Sequence, residues 1–325
     1  MVLLQKLKKK NYKVGNKFSW IFTWCFLSHD GFEGINPRKR TTGYGKIFFK
    51  YINKFKKDIS IHNIKKNKDA VAWHFHAPSI KNDAHRGGST YLGSKKIFDD
   101  LCTYIIRYTW FPAVFRAGHN TVRQDLNLFL EQWIPFDFSN TSYKKTKKLD
   151  SISSPSRYGN WSRSPISWIP YNPDFSNYQL KGNMKRYVAR CLPINEREYS
   201  IKSNDILLAL REAKKRGSSL LCFTNHDFRE MSYDIERILK KIKLIQYKFP
   251  DVKLQFTNAI EGIRQTLKFP RKLPKIGLSA RIKKIKNQYR LYVATSGEIF
   301  GTQPFLAIKN KKNKYFWQNF DYEKK

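Results

Sequence analysis

The chain has 325 residues, of which 41% are hydrophobic and 15% aromatic, so it can bury a sizeable core in one large α/β domain or in a domain with an appendage. This composition excludes an intrinsically disordered chain, although 27% of the residues are charged. The formal net charge of +38 fits a nucleic-acid or other anionic partner, but the lysines are scattered beside Asn and Ile, as a compositional bias would also leave them.

The cysteines are far apart in the sequence and form no C-x-x-C pair, which excludes a zinc ribbon and a dithiol redox motif. They are Cys25, Cys102, Cys191 and Cys222. Cys25, Cys102 and Cys222 lie in apolar runs and are expected to be buried thiols. A reducing compartment is the simpler interpretation, and we expect a cytoplasmic protein. No apolar run approaches the roughly 20 residues that a membrane-spanning helix needs. The basic start of the chain resembles a signal peptide, but Asn16 and Lys17 interrupt it and no cleavage site follows.

Residues 1–17 predict a basic N-terminal tail, and from residue 18 strand and helix patterns alternate. Aromatic and β-branched runs predict strands, and apolar residues at helical spacing predict helices. The predicted order is a strand at 18–28, a helix at 43–57, strands at 58–63 and 70–76, a helix at 94–108, a strand at 112–120, a helix at 122–133 and a strand with its loop at 134–142.

Residues 141–185 are rich in Ser, Pro, Asn, Tyr and Trp and predict a long irregular insertion. The alternation then resumes with a strand at 187–194, a helix at 203–217, a strand at 218–226, a helix at 234–250 and a strand with a short helix at 252–267. This pattern predicts a domain over 18–272 with a parallel sheet, open or closed. Residues 275–325 alternate polar and apolar residues and predict a small antiparallel β appendage.

Side chains that can carry chemistry follow five of the predicted strands. They are His29 and Asp30, His74 and His76, Arg116, Asp137, and His226 with Asp227. In parallel α/β folds, functional sites lie at the carboxyl ends of the strands. Packing alone does not require His, Asp or Arg at five strand ends. The pattern therefore predicts a functional site at this edge of the sheet.

The H-x-H pair His74 and His76 is the strongest sign of a metal site. Alternate residues of a strand point to the same face, so the two imidazoles can bind one ion together with Asp30. His85, which arrives from the following loop, is the alternative ligand. The competing interpretation is that His74 and His76 are half-buried strand residues bonded to backbone.

The order of these segments resembles the polysaccharide deacetylase family, the NodB-type carbohydrate esterases, over roughly residues 19–265. Five segments carry the likeness: FLSHDG at 26–31, HFHAPS at 74–79, FRAGHN at 115–120, PFDFS at 135–139 and CFTNHD at 222–227. The resemblance implies a distorted parallel β/α barrel of the glycoside hydrolase/deacetylase type. The chain departs from the family at His29, which stands in place of an Asp base, in the closer spacing of its two histidines, and in an Arg motif without proline.

The activity that the resemblance implies is removal of N-acetyl groups from a surface glycan or its precursor, with a divalent metal ion, zinc being the expected one. Asp30, His74 and His76 would hold the ion, and His226 would protonate the departing amine. The remaining roles stay open: Asp137 or Asp227 would orient His226, His29 or Asp83 would be the base, and Arg116 would orient the base or bind substrate.

The aromatic residues of the insertion could stack on sugar rings or simply pack an irregular segment. They are Tyr158, Trp161, Trp168 and Tyr171, of which Trp161, Trp168 and Tyr171 are the predicted substrate-binding residues. His62 and His119 are expected to be loop residues without a role. Two other functions compete with the hydrolase: a non-catalytic glycan-binding protein of the same fold, and a basic nucleic-acid-binding protein.

Overall fold

The computed structural model describes residues 21–29, 69–76, 90–144, 159–195, 199–226, 231–270, 272 and 274–321. Within these ranges the chain forms one five-stranded sheet, which is parallel, and three two-stranded sheets, of which two are antiparallel. The predicted α/β class with C-terminal antiparallel strands is therefore confirmed. The predicted N-terminal tail, the helix at 43–57 and the strand at 58–63 lie outside the described residues.

The strands follow the aromatic and β-branched runs of the sequence. In chain order they are β1 (Thr23–His29), β2 (Ala70–His76), β3 (Val114–Ala117), β4 (Phe136–Asn140), β5 (Tyr187–Arg190), β6 (Leu192–Pro193), β7 (Phe223–Thr224), β8 (Leu278–Ile285), β9 (Gln288–Thr295), β10 (Leu306–Lys309) and β11 (Tyr315–Gln318). A short 3₁₀ turn, Gly118–Asn120, directly follows β3.

The helices form where apolar residues recur at helical spacing. They are α1 (Lys96–Tyr108), α2 (Gln124–Trp133), α3 (Ser203–Arg216), α4 (Ser232–Gln246) and α5 (Ala259–Thr266). Gly217 ends α3 in the left-handed conformation, with φ of 86°, which glycine adopts without steric cost. None of the helices in the described part of the chain is long and apolar enough to cross a bilayer.

The main sheet has the order β1-β2-β3-β4-β5, and every pair is parallel. Its register places His76 beside His29 and His74 beside Arg116. The chain leaves β5 through Cys191 and continues as β6, which pairs with β7 in the same parallel sense. The carboxyl ends of these strands therefore face the same way.

The two faces of the sheet bury different cores. One face, with Trp73 and Phe115, packs against Tyr104 of α1 and Phe129 of α2. The opposite face carries a second cluster of small and aromatic residues: Ala72, Val114, Phe136, Phe138, Ala189 and Cys191, covered by Leu220 and by Ile263 of α5. Because strand residues alternate, His74 and His76 continue the Ala72 face toward the carboxyl edge.

The insertion is irregular as predicted, whereas one predicted strand does not form. The described portion of the insertion, 159–185, contains only isolated bridges, as an irregular segment should. The predicted strand at the start of 252–267 does not form: residues 252–258 are irregular in this described range, and only α5 follows them. Val252, Leu254 and Phe256 alternate as strand residues do, but they are partly buried packing residues of an irregular segment.

The C-terminal appendage consists of two antiparallel hairpins with different surroundings. The β10–β11 hairpin packs on the main core, where Trp317 stacks on Phe98 of α1 at 4.4 Å between ring centroids. Phe305 also packs against Trp133 at 5.3 Å. The β8–β9 hairpin instead exposes almost all of its residues on both faces.

Candidate functional site

Three imidazoles meet at the carboxyl ends of β2 and β3. The ring centroids of His74 and His76 are 5.1 Å apart, and those of His76 and His119 are 4.6 Å apart. Both pairs are nearly perpendicular, at 85° and 82°. The structure therefore brings together the predicted H-x-H pair and a third histidine, His119, for which the sequence predicted no role.

His74 is oriented by the backbone of the neighbouring strand. Its Nδ1 lies 2.8 Å from the carbonyl oxygen of Arg116, and because a carbonyl only accepts, Nδ1 carries the proton and donates it. Burial and the nearby charge of Arg116 lower the pKa of His74 from 6.5 to about 3. The imidazole is consequently neutral near pH 7, with the lone pair of Nε2 directed away from this hydrogen bond.

Arg116 is buried and lies beside His74 on the neighbouring strand. Its Nη1 donates to the carbonyl oxygen of Phe138 at 2.5 Å. This bond ties β3 to β4 on the face that carries His74. The positive charge of Arg116 opposes protonation of His74.

His76 packs directly on the turn after β3. A Cβ atom at Gly118 would lie 2.3 Å from Cγ of His76, so this site requires glycine. The next two residues, His119 and Asn120, have left-handed backbones with φ of 50° and 52°. Such a conformation is uncommon outside glycine, although His and Asn adopt it more readily than most residues.

The first residues of the described insertion hold that turn. Gly159 N–H donates to the carbonyl oxygen of His119 at 3.1 Å, and Trp161 Nε1 donates to the carbonyl oxygen of Asn120 at 2.7 Å. A Cβ atom at Gly159 would lie 1.8 Å from the same Asn120 oxygen. The described part of the insertion thus holds the turn at His119 and Asn120 by donating hydrogen bonds to their backbone carbonyl oxygens.

His226 lies on the exposed loop after β7, and its charge contributes to the lowered pKa of His74. The side chain of Asn225 accepts from the backbone N–H of His226 at 2.9 Å and donates to buried Asp234 at 2.8 Å. Asp234 is the first acidic residue of α4 and supports this loop. Asp227, the predicted alternative orienting residue, lies outside the described residues.

Asp137 is not part of this site, which corrects one predicted role. Its carboxylate is fully buried in an ion pair with Arg186 at 3.0 Å, and it accepts the backbone N–H of Ser139 at 2.9 Å. Its register partner is Phe115, which faces α1 and α2, so Asp137 points away from the face of His74. Arg186 also donates to Asn127 of α2.

The predicted sugar-stacking residues are buried, which corrects a second expectation. Trp161, Trp168 and Tyr171 are each at most 5% exposed. Trp168 Nε1 donates to the carbonyl oxygen of Asp205, and the guanidinium of Arg190 covers the indole ring at 4.4 Å. These aromatic residues pack the insertion against the domain, so none presents a ring face to a ligand.

Of Cys25, Cys102 and Cys222, which the sequence predicted to be buried thiols, only Cys102 is fully buried. All four cysteines are free thiols; Cys102 and Cys191 are buried, Cys222 is partly buried, and Cys25, on β1, is exposed. The fold places Cys191 Sγ and Cys222 Sγ 3.1 Å apart, because they sit beside each other where β5 passes into β6 and next to β7.

His74 and His76 have the chemistry and spacing of a ligand pair. Two imidazoles that bind one zinc ion at about 2.1 Å in tetrahedral geometry place their ring centres roughly 5 Å apart. The carbonyl oxygen of Arg116, which accepts the Nδ1–H of His74, is the kind of backbone acceptor that metal-binding histidines usually have. Among the described residues no group of three His, Cys, Asp or Glu side chains is placed to hold an ion. Asp30, His85 and the side chain of His29 lie outside those residues.

No family model, curated protein or solved structure in our comparisons matches this chain. The likeness to the polysaccharide deacetylases consequently rests on the order of the strand-end motifs.

Proposed function

We propose that the protein is a metal-dependent, polysaccharide deacetylase-like hydrolase that removes N-acetyl groups from a glycan. The observation that carries the proposal is the meeting of His74, His76 and Arg116 at the carboxyl edge of a parallel sheet, with His226 within electrostatic reach. These residues occur in the motif order of that family, and their placement follows the general rule for α/β enzymes.

The fold is proposed to be a distorted β/α barrel. Support comes from contacts that return the chain after β7 to β1: the backbone N–H of Ala259 donates to Thr23 Oγ1 at 2.8 Å, and Phe22 and Phe256 pack against the same small cluster around Met231. A curved sheet whose last segment approaches its first strand is what such a barrel requires.

Asp30, His74 and His76 are proposed to hold a divalent ion, zinc first, with His85 as the alternative to His76. When bound, such an ion polarises an acetyl carbonyl and lowers the pKa of a water molecule. His74 is suited to this role because its Nδ1–H bond to the Arg116 carbonyl fixes the tautomer and leaves Nε2 to ligate.

The protein groups that move protons are proposed as follows. His226 is exposed at the rim of the site and protonates the departing amine, and the Asn225–Asp234 pair holds its loop. His29 or Asp83 takes the proton of the water. Arg116, anchored on Phe138, keeps a positive charge beside His74. Elimination of Asp137 leaves Asp227 as the proposed side chain that orients His226.

Acetate release from an N-acetylglucosamine oligomer, after zinc reconstitution, tests the proposal. Wild type is expected to release acetate, His226→Ala to lose roughly 100-fold or more in rate, as loss of a general acid does, and the exposed control Glu236→Gln to match wild type. Oligomer binding without acetate release would instead identify a non-catalytic glycan-binding protein. Salt-sensitive RNA binding with neither property would favour the nucleic-acid alternative.

A further inference from the structure

The β8–β9 hairpin stands apart from the core and has two chemically different faces. Directly paired residues of an antiparallel hairpin share a face, so the register assigns every side chain. One face carries Leu278, Ala280, Ile282 and Lys284 opposite Thr295, Val293, Leu291 and Tyr289. The other carries Ser279, Arg281, Lys283 and Ile285 opposite Ala294, Tyr292, Arg290 and Gln288.

The first face is apolar and open. Ile282 is 68% exposed, Leu278 is 64% exposed and Tyr289 is 73% exposed. The two strands are eight residues each, and they form a two-stranded sheet on their own. An isolated two-stranded ribbon with an uncovered apolar face is marginal in water, so this face is suited to a partner.

The second face and the turn are cationic. Arg281, Lys283 and Arg290 lie on the second face and Lys286 lies in the turn, whereas Lys284 is on the first face. Residues 278–295 contain no acidic residue. Arg281 and Lys283 both cover the ring of Tyr292, at 5.2 Å and 5.7 Å from its centroid. The partner of this hairpin must therefore accept aliphatic side chains on one side and satisfy a row of positive charges on the other.

We propose that the β8–β9 hairpin docks the protein on an anionic lipid bilayer. A ribbon lying in the plane of the interface would bury Leu278, Ile282 and Leu291 at the acyl boundary and hold its Arg and Lys side chains at the level of the phosphates. Amphipathic helices use the same division of faces, and each basic residue near an anionic surface strengthens binding roughly fivefold. The proposal does not depend on the proposed hydrolase function.

Two other partners fit the hairpin less well. Nucleic acid would use the cations, but it offers nothing to Ile282 and Leu278, and Tyr292 is already covered by Arg281 and Lys283. A second copy of the chain could cover the apolar face, but it would bring two sets of like charges together in a protein with a net charge of +38.

Vesicle flotation with the full-length protein tests the proposal. Wild type is expected to float with phosphatidylcholine–phosphatidylglycerol vesicles and to remain unbound with phosphatidylcholine alone. The cross-strand variant Ile282→Ser with Leu291→Ser should lower the partition coefficient roughly tenfold, and Lys283→Gln with Arg290→Gln by a similar factor. The matched control removes exposed apolar side chains elsewhere, Leu244→Ser with Tyr247→Ser on and just after α4, and should stay within about twofold of wild type.

Insertion is read separately with Ile282→Trp, whose fluorescence should be quenched by brominated phosphatidylglycerol. Absence of flotation overturns the proposal, as does binding that is unchanged by Ile282→Ser with Leu291→Ser. Concentration-dependent dimers that are absent in the Ile282→Ser with Leu291→Ser variant would show that the apolar face binds a second copy of the chain. RNA binding that is lost only in the Lys283→Gln with Arg290→Gln variant would show that the hairpin binds nucleic acid. Acetate release from a soluble oligomer should be the same in wild type and the serine variant, which separates this test from that of the hydrolase.

Discussion

The Nδ1 atom of His74 lies 2.8 Å from the carbonyl oxygen of Arg116, its register partner on the next strand. One strand therefore fixes the imidazole of its neighbour with a backbone group, which no side-chain substitution at Arg116 removes. The bond sets the tautomer, and the guanidinium of the same residue opposes protonation. A single residue thus fixes the tautomer of His74 and helps to keep its imidazole neutral.

The lowered pKa of His74 predicts acid sensitivity of the metal-free protein. The pKa is about 3 in the folded state and 6.5 in the unfolded state, so the unfolded chain binds the proton first as the pH falls. The free energy of unfolding should therefore decrease between pH 6.5 and pH 3, by up to about 1.4 kcal/mol per pH unit. Urea denaturation in the presence of a chelator measures it, and His74→Asn should flatten the slope. An equal slope in both proteins would contradict the assigned pKa.

Gly118 is predicted to be intolerant of any side chain. In Gly118→Ala the new Cβ would meet the ring of His76 at 2.3 Å and its Cα at 2.7 Å, so His76 must move. Zinc affinity should fall roughly 10–100-fold, as it does when the support of a metal ligand is lost. Competition with a chromogenic chelator measures the affinity. The control Gly297→Ala, whose Cβ would meet nothing closer than 3.7 Å, should bind zinc like wild type.

Asp137 is predicted to act on stability rather than on catalysis. Asp137→Ala leaves the buried guanidinium of Arg186 without its carboxylate, which should lower the free energy of unfolding by about 3–5 kcal/mol. Adding Arg186→Met should restore part of that loss, because the uncompensated charge is removed as well. Chemical denaturation of both variants tests this. A variant of normal stability with no hydrolytic activity would return Asp137 to the active site.

Trp161 and Trp168 are predicted to differ in their effect on the site, although each donates one indole hydrogen bond. Trp161→Phe removes the hydrogen bond to Asn120, and Trp168→Phe removes the hydrogen bond to Asp205. Each change should lower the free energy of unfolding by about 1 kcal/mol. Only Trp161→Phe should also weaken hydrolysis, because Asn120 adjoins His119, whose ring packs against that of the proposed ligand His76. Steady-state kinetics on the oligomer distinguishes them, and a raised KM in Trp168→Phe would revive the sugar-stacking role.

The sequence anticipated the elements better than the site. The helix predicted at 94–108 forms as Lys96–Tyr108 and that at 122–133 as Gln124–Trp133, because their apolar periodicity is local information. The strand predicted at the start of 252–267 was wrong. Val252, Leu254 and Phe256 alternate and pack as strand residues do, but residues 252–258 form no strand. Periodicity reports burial, whereas a strand also needs a neighbour in register.

Local sequence patterns also do not show which side chains meet at the candidate site. Asp137 follows an apolar run as His74 does, yet its parity places it on the opposite face, and only the pairing with Phe115 reveals this. His119 joins the cluster through the left-handed turn after Gly118. A glycine followed by His-Asn was the available signal, since His and Asn enter the left-handed region more readily than most residues.

The most direct test of the account is the metal content of the protein after zinc reconstitution, measured by elemental analysis on wild type, on His74→Ala with His76→Ala, and on the control Glu236→Gln. We expect close to one zinc ion per chain in wild type and the control, and none in the double variant. Absence of zinc in wild type, or equal zinc in all three proteins, would contradict a metal site at His74 and His76 and with it the proposed hydrolase.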